Sequence, residues 1–205
     1  MVHISDGVLP PATVALGWAF TAAVAALTLK KLRAEEVPKL SLFTSVFFVA
    51  SLIHFPVGPT SVHLILNGVV GIMTGHLAYL AILIGLVLQA LFFGHGGLTT
   101  IGVNTVDMGL PALIAGWLFR KGLKARLSDR KLGALSAMLG GLAVFLAVVL
   151  TSLMLLTCGP EYVWAITALA MFHVPVIVVE ALATCFIVAL AMKVKPEMLS
   201  SGVVG

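Results

Sequence analysis

Apolar runs separated by short polar stretches fill most of this chain, and their lengths say what they are. In order they fall at about residues 12–29, 40–55, 62–75, 77–93, 106–118, 132–156 and 173–192. A helix that crosses a bilayer needs roughly 20 mostly apolar residues. Each run therefore predicts a membrane helix, the third shorter and interrupted by Gly68, Gly71 and Gly75. Residues 162–171 form another apolar stretch that reads as a re-entrant or interfacial helix. No stretch is polar enough for a separate soluble domain. The expectation is an all-α, polytopic membrane helix bundle of about seven transmembrane helices. Residues 1–205 form one integral-membrane domain, with the N-terminal tail, residues 1–11, folded into the bundle.

Composition agrees with this class. Of 205 residues, 60% are hydrophobic and 10% charged, with a mean hydropathy of +1.16; soluble domains carry about 25% charged residues. Charge placement orients the bundle. With the N-terminus outside and seven alternating crossings, Lys30, Lys31, Arg33 and Lys39 fall in the first inner loop. Arg120, Lys121, Lys124, Arg126, Arg130 and Lys131 fall in the third, and Lys193 and Lys195 follow the last helix. All 12 basic residues are then cytoplasmic, as the positive-inside rule requires. An even number of spans breaks the agreement, so the C-terminus is expected inside, in a prokaryotic cell membrane. A cleaved signal peptide carries its positive residues before the apolar run; here they follow it, which predicts a retained first helix. Cys158 and Cys185 sit in different segments, which argues against a disulfide or a thiolate metal site.

The candidate chemistry lies at the outer end. The opening MVHISDGVLPP offers an α-amino group, backbone amides and the His3 imidazole within three residues. Four nitrogens in a plane suit Ni(II) or Cu(II). Five of the six histidines, His3, His54, His63, His95 and His173, map to the outer side, and only His76 to the inner. His63 opens the third helix in GPTSVHLILNG, behind a turn at Gly58, Pro59, Thr60 and Ser61 that supplies an N-cap region. Asn67 follows, at the head of the glycine-rich NGVVGIMTG; small residues let membrane helices approach closely, so this helix is expected to be central. The segment HGGLTTIGVN, from His95 to Asn104, reads either as a plug or lid beside the site or as a plain surface loop, with Thr99, Thr100 and Asn104 able to orient ligands or satisfy backbone groups. Two acids, Asp107 and Glu180, fall inside apolar runs, where ionisable residues default to function. They support a rival reading, a cation or proton channel or a membrane-embedded enzyme. HExxH and GxSxG are absent from the sequence, and so is the GxxxxGK[ST] phosphate loop of an ATPase.

Four stretches, HISDGVLPP, GPTSVHLILNGVVGI, LVLQALFFGHGGLTTIGVNTVDMGLPA and KVKPEML, resemble the CbiM/NikM family. Its members are the substrate-binding (S) subunits of energy-coupling-factor (ECF) transporters for cobalt and nickel. The resemblance runs from Met1 to about Leu199. It implies seven helices and a metal bound by the N-terminal amine, the next backbone amide, an N-terminal histidine and a second histidine. On this sequence the metal ligands are drawn from Met1, Val2, His3 and His63, with Ser61, Asn67, His95, Asn104 and Glu180 as orienting or gating residues. Family members begin Met-His, whereas this chain begins Met1-Val2-His3. With Met1 removed, the Val2 amine, the His3 amide, the His3 imidazole and His63 reproduce the family set. With Met1 retained, its amine, two amides and the His3 ring already fill a plane, and His63 becomes axial or displaced. The resemblance further implies Ni(II) or Co(II) as transported substrate and no organic cofactor. The implied partners are a coupling (T) membrane protein, two ATPase subunits and, in some systems, a separate small membrane partner. Ala15, Ala19 and Ala23 form a small-residue stripe on the first helix that could dock the coupling protein.

Overall fold

The structure, a computed structural model, describes residues 3–57 and 60–200, except for the side chains of residues 54–57, 60–62 and 200. Met1 and Val2, both assigned as metal ligands from the sequence, lie outside the described residues. So do Gly58 and Pro59 of the expected turn and the side chains of His54 and Ser61. The helices are α1 (Pro11–Lys31), α2 (Val37–Ala50), α3 (Asn67–Thr74), α4 (Ala78–Phe93), α5 (Ile101–Lys124), α6 (Asp129–Leu156), α7 (Val163–Val194) and a terminal turn, α8 (Glu197–Ser200). Between α2 and α3 the chain forms a two-stranded antiparallel hairpin, β1 (His54–Val57) and β2 (Thr60–His63), which pairs His54 with His63 and Val57 with Thr60.

Among the described residues, five helical stretches have the length and apolarity to cross a membrane: Pro11–Lys31, Asn67–Phe93, Ile101–Lys124, Asp129–Leu156 and Pro160–Val194. The apolar exterior fits that environment, with Leu16, Phe92, Trp164 and Phe186 all at least 70% exposed. Polar residues are turned inward instead: Thr21, Asn67, Gln89, Thr100, Asn104, Asp107 and Glu180 are buried. Lipid cannot satisfy a polar group, so these side chains find partners across the bundle. Thr21 donates to the Gly102 carbonyl oxygen at 2.7 Å and lies 2.8 Å from the Tyr79 hydroxyl, joining α1, α4 and α5. Asn67 reaches the carbonyl oxygens of Met108 and Ala143 from α3.

Several sequence expectations need correction. The third apolar run is not a helix from residue 62. Its first part is strand β2 and an extended link, and the helix begins only at Asn67. Because α2 has 14 residues and α3 has eight, neither alone has membrane-crossing length, and the helical bundle carries one short hairpin. The stretch 95–104 is not one loop either, because α5 starts at Ile101 and carries Asn104 and Asp107 on its buried face. Asp107 is fully buried. Residues 162–171 do not form a separate re-entrant element, since α7 runs unbroken for 32 residues through Pro175. Neighbouring groups can compensate for the missing N–H of an intramembrane proline.

Helix α3 is wedged between α5 and α6 by backbone contact. A Cβ on Gly71 would overlap the Ala112 carbonyl oxygen, and one on Gly116 would overlap the Gly71 carbonyl oxygen. A Cβ on Gly68 would come within 2.7 Å of the Gly140 Cα. The obstructing atoms are main chain and cannot swing aside. Gly71→Val should therefore cost at least about 2 kcal/mol through overpacking, read as a lower melting temperature of the detergent-solubilised protein. Gly133→Ala is the control: its Cβ would meet only the Cys185 Sγ, at 3.9 Å. It should leave melting unchanged or raise it, by up to about 1 kcal/mol in helix propensity.

Candidate metal centre

Residues 3–10 enter one end of the bundle and pack there. Ile4 and Leu9 are buried against Val103 of α5, with Val8, Val14, Met154 and Cys158 around them. Main-chain bonds fix the path. The Ile4 N–H donates to Asn104 Oδ1 at 2.9 Å, and the Ile4 carbonyl oxygen accepts from Asn104 Nδ2 at 3.1 Å and from Thr100 Oγ1 at 2.7 Å. Asp6 accepts from the N–H groups of Leu98 and Thr99 at 3.0 and 2.9 Å and from the Thr99 hydroxyl. These bonds, the Thr99 hydroxyl foremost, hold its carboxyl below the usual carboxylate range. Gly97 allows this approach, since a Cβ there would overlap the Asp6 carboxylate.

The same path delivers His3 to the interior, 6% exposed, beside His63, 4% exposed. Their ring centroids are 4.9 Å apart. Two imidazoles binding one ion through nitrogen bonds of about 2.1 Å place their centroids roughly 4.5–6.3 Å apart. His95 is the third ring, 5.8 Å from His63 and 6.1 Å from His3. His63 Nδ1 lies 2.8 Å from the Leu64 carbonyl oxygen. A carbonyl only accepts, so Nδ1 carries the proton and Nε2 keeps its lone pair. That Nε2 and both ring nitrogens of His3 are buried without a hydrogen-bond partner. Leaving such atoms unpaired costs about 1–3 kcal/mol each. These lone pairs are filled by no described protein group. Among the described residues, no three His, Cys, Asp or Glu side chains meet as a cation cage.

Glu180 shapes the other limb. It is fully buried on α7, and its carboxylate accepts the Ile65 and Leu66 N–H groups, the latter at 2.9 and 3.1 Å to its two oxygens. Leu66 has φ 54°, the left-handed region that a residue with a Cβ seldom adopts. The Glu180 bonds hold that turn, which starts α3 and ends the link from His63. Asn67 ties the start of α3 to α5 and α6.

The remaining candidates lie elsewhere. His173 Nδ1 is 2.8 Å from the Leu169 carbonyl oxygen within its own helix. His76 Nε2 is 3.9 Å from Glu36 Oε1. Asp107 accepts from Thr151 Oγ1 at 3.1 Å. The sequence reading missed Asp6 as the strap between tail and loop. Its Asp-Gly pair marks a turn, but not what the carboxylate would hold. The Leu64 carbonyl, which sets the His63 tautomer, carries no sequence signal at all.

These features define a multi-pass membrane protein with a histidine-lined interior. The chain belongs to the CbiM family, described as the cobalt uptake substrate-specific transmembrane region, whose model matches residues 3–198. It is 38% identical over 202 residues to a Haemophilus influenzae protein whose name assigns it to metal transport, covering 97% of each chain. It is 31% identical over 97% of its length to the cobalt transport protein CbiM of Geobacter sulfurreducens, of which it spans 62%. It is 32% identical over 53% of its length to the fused nickel transport protein NikMN of Rhodobacter capsulatus, of which it spans 33%. In fold it is similar to a crystal structure of a transition metal transporter, with a TM-score of 0.80, 24% identity and coverage of 99% of this chain and all of that one.

Burial pushes the His3 imidazole well below its ordinary value, helped by the neighbouring His63 and His95 rings, and pushes His63 down to about 4. Between that value and about 6.5, the ordinary value, the unfolded chain binds protons at these rings that the folded chain does not. Stability must therefore fall as pH drops through this window. The melting temperature of metal-free protein should decline from pH 7 to pH 5. The decline should be shallower in a His3→Ala, His63→Ala double variant.

Proposed function

We propose that this chain is the substrate-capturing membrane subunit of an ECF-type importer of the ATP-binding-cassette class, taking Ni(II) or Co(II) from the outer face. The observation that carries the reading is the set of buried, unpartnered lone pairs on His3 and His63, on rings whose burial keeps them neutral. Only a neutral imidazole ligates a metal. Main-chain nitrogens at the start of the chain complete the set, from Met1 or Val2 and the amide of His3. Such a field favours Ni(II) and Co(II) over Mg(II) and Ca(II), which prefer oxygen. Cu(II) would bind more tightly still, so supply must limit it.

Asn104 orients the tail through Ile4, Glu180 and Asn67 hold the His63 limb, and Ser61 belongs to the strand that leads into it. The bundle sits in the prokaryotic cell membrane with the N-terminus outside, the C-terminus inside and seven crossings, the two short ones being α2 and α3 together with the extended chain that joins them. Transport is driven by a coupling membrane protein and ATPase subunits, with room for a separate small membrane partner. Ala15, Ala19 and Ala23 are exposed along α1, while Thr21, Ala25 and Thr28 face inward. That leaves the alanine stripe free to meet the coupling protein.

Ni(II) binding to the purified protein, measured by calorimetry, tests the reading. Loss of a group that merely orients a ligand costs ten- to a hundredfold in affinity, so His3→Ala and His63→Ala should each weaken binding by at least about a hundredfold. Unchanged affinity in both would sink the proposal. Asn104→Ala removes only the clamp on Ile4 and should cost about tenfold.

A further inference from the structure

We propose that His95 is the gate ligand of this site: it takes the cation from the outer surface and hands it to the buried His3 and His63. The inference rests on the metal-site reading above and adds a route and a residue to it. His3 and His63 are buried, so an ion in solution cannot meet their nitrogens directly. Of the three clustered rings, His95 alone is partly exposed. It lies parallel to His63 within 4° at 5.8 Å between centroids, and 6.1 Å from His3. Both separations fall inside the range of roughly 4.5–6.3 Å expected for two imidazoles on one ion. One ion can therefore touch His95 and a buried ring together during transfer.

The position of His95 is set by the end of α4, where the Gly94 and His95 N–H groups donate to the Ala90 and Gln89 carbonyl oxygens at 3.2 and 3.3 Å. Gly94 and Gly96 flank His95 with φ 63° and 72°, conformations open to glycine at little cost. Nothing lies within 4 Å of the position a Cβ would take on Gly94, so that side is open space. The other side is anchored: a Cβ on Gly96 would come within 2.9 Å of Asn104 Nδ2 and 3.4 Å of the His3 Cβ. One glycine therefore caps α4 with its outer face open, and the next rests on the tail that carries His3. The transfer is a ligand exchange without redox change. The His95 nitrogen replaces a water on the hydrated cation, and a nitrogen of His3 or His63 then replaces His95 on the metal.

A gate lies on the path in both directions and leaves the end states alone. Stopped-flow Ni(II) association and dissociation on the full chain in detergent, with a native N-terminus, read this directly. In His95→Ala both rates should fall about tenfold while the dissociation constant stays within about twofold, since rates and equilibrium separate cleanly only for a residue off the final ligand set. Gly94→Ala keeps the imidazole and meets no atom, but strains the left-handed cap that sets the position of His95. It should slow both rates in the same direction, by less. A weakened dissociation constant with an unchanged association rate in His95→Ala would make His95 a resident ligand and overturn the proposal. Unchanged rates in a folded His95→Ala protein, checked by its melting curve, would make it a bystander and overturn it equally. Failure of the wild-type protein to bind Ni(II) sinks the site itself, a result distinct from either.

Discussion

The contact on which the rest of the structure depends is the Glu180 carboxylate against the Ile65 and Leu66 amides. A bundle in lipid tolerates non-helical backbone only where protein satisfies it. The link between β2 and α3 is such backbone, and its last residue, Leu66, sits in an unfavourable left-handed turn. A carboxylate at this point does two things. It accepts amide hydrogens that would otherwise be orphaned, and it sets acceptor oxygens at the N-terminus of α3, where the helix dipole favours them. An alanine at position 180 would leave those amides bare, and a lysine would oppose the dipole. The acid that looked like a candidate for ion conduction is thereby committed to holding up a peptide chain three residues from His63.

The tail is held by a complementary device. His3 carries no anchoring bond of its own, as both its ring nitrogens are unpartnered. Its position is set by Ile4, clamped to Asn104 and Thr100, and by Asp6, strapped to the chain just before α5. Hydrogen bonds to a charged acceptor are stronger than neutral ones, which suits Asp6 to a partly solvated position where water competes. The two buried imidazoles thus come from segments far apart in sequence, each positioned mainly by its chain neighbours. That division leaves both His3 ring nitrogens and His63 Nε2 without a hydrogen-bond partner among the described residues.

How much of this was legible in the sequence follows the physics of each segment. Long runs such as 132–156 and 173–192 reveal themselves because apolar length is a sufficient condition for a membrane helix, and α6 and α7 cover them. The run at 62–75 misleads, because a short apolar stretch reads equally as strand or buried helix. Phe55-Pro56-Val57-Gly58-Pro59 carried the turn residues that argue for a hairpin. Asn104 looks like a loop residue because polarity signals solvent in soluble proteins. In a bilayer it signals the bundle interior, and α5 buries Asn104. His63 stood out by type and position, but nothing local to the sequence fixes its tautomer. That depends on where the Leu64 carbonyl points once the hairpin has formed.

The glycines of α3 add the last constraint. With Gly68 against Gly140, and Gly71 against both Ala112 and Gly116, α3 meets its neighbours main chain to main chain. Packed interiors deform poorly, and interlocked backbones have no side-chain rotamers through which to relax. The packing beneath the histidines is therefore a rigid floor. The segment at residues 94–100 is different in kind, with glycines at positive φ and side chains partly in solvent. Backbone motion costs least there, beside the clustered imidazoles and the Asp6 carboxylate, whereas the basic residues of α5 lie at the far end of that helix, from Arg120 to Lys124.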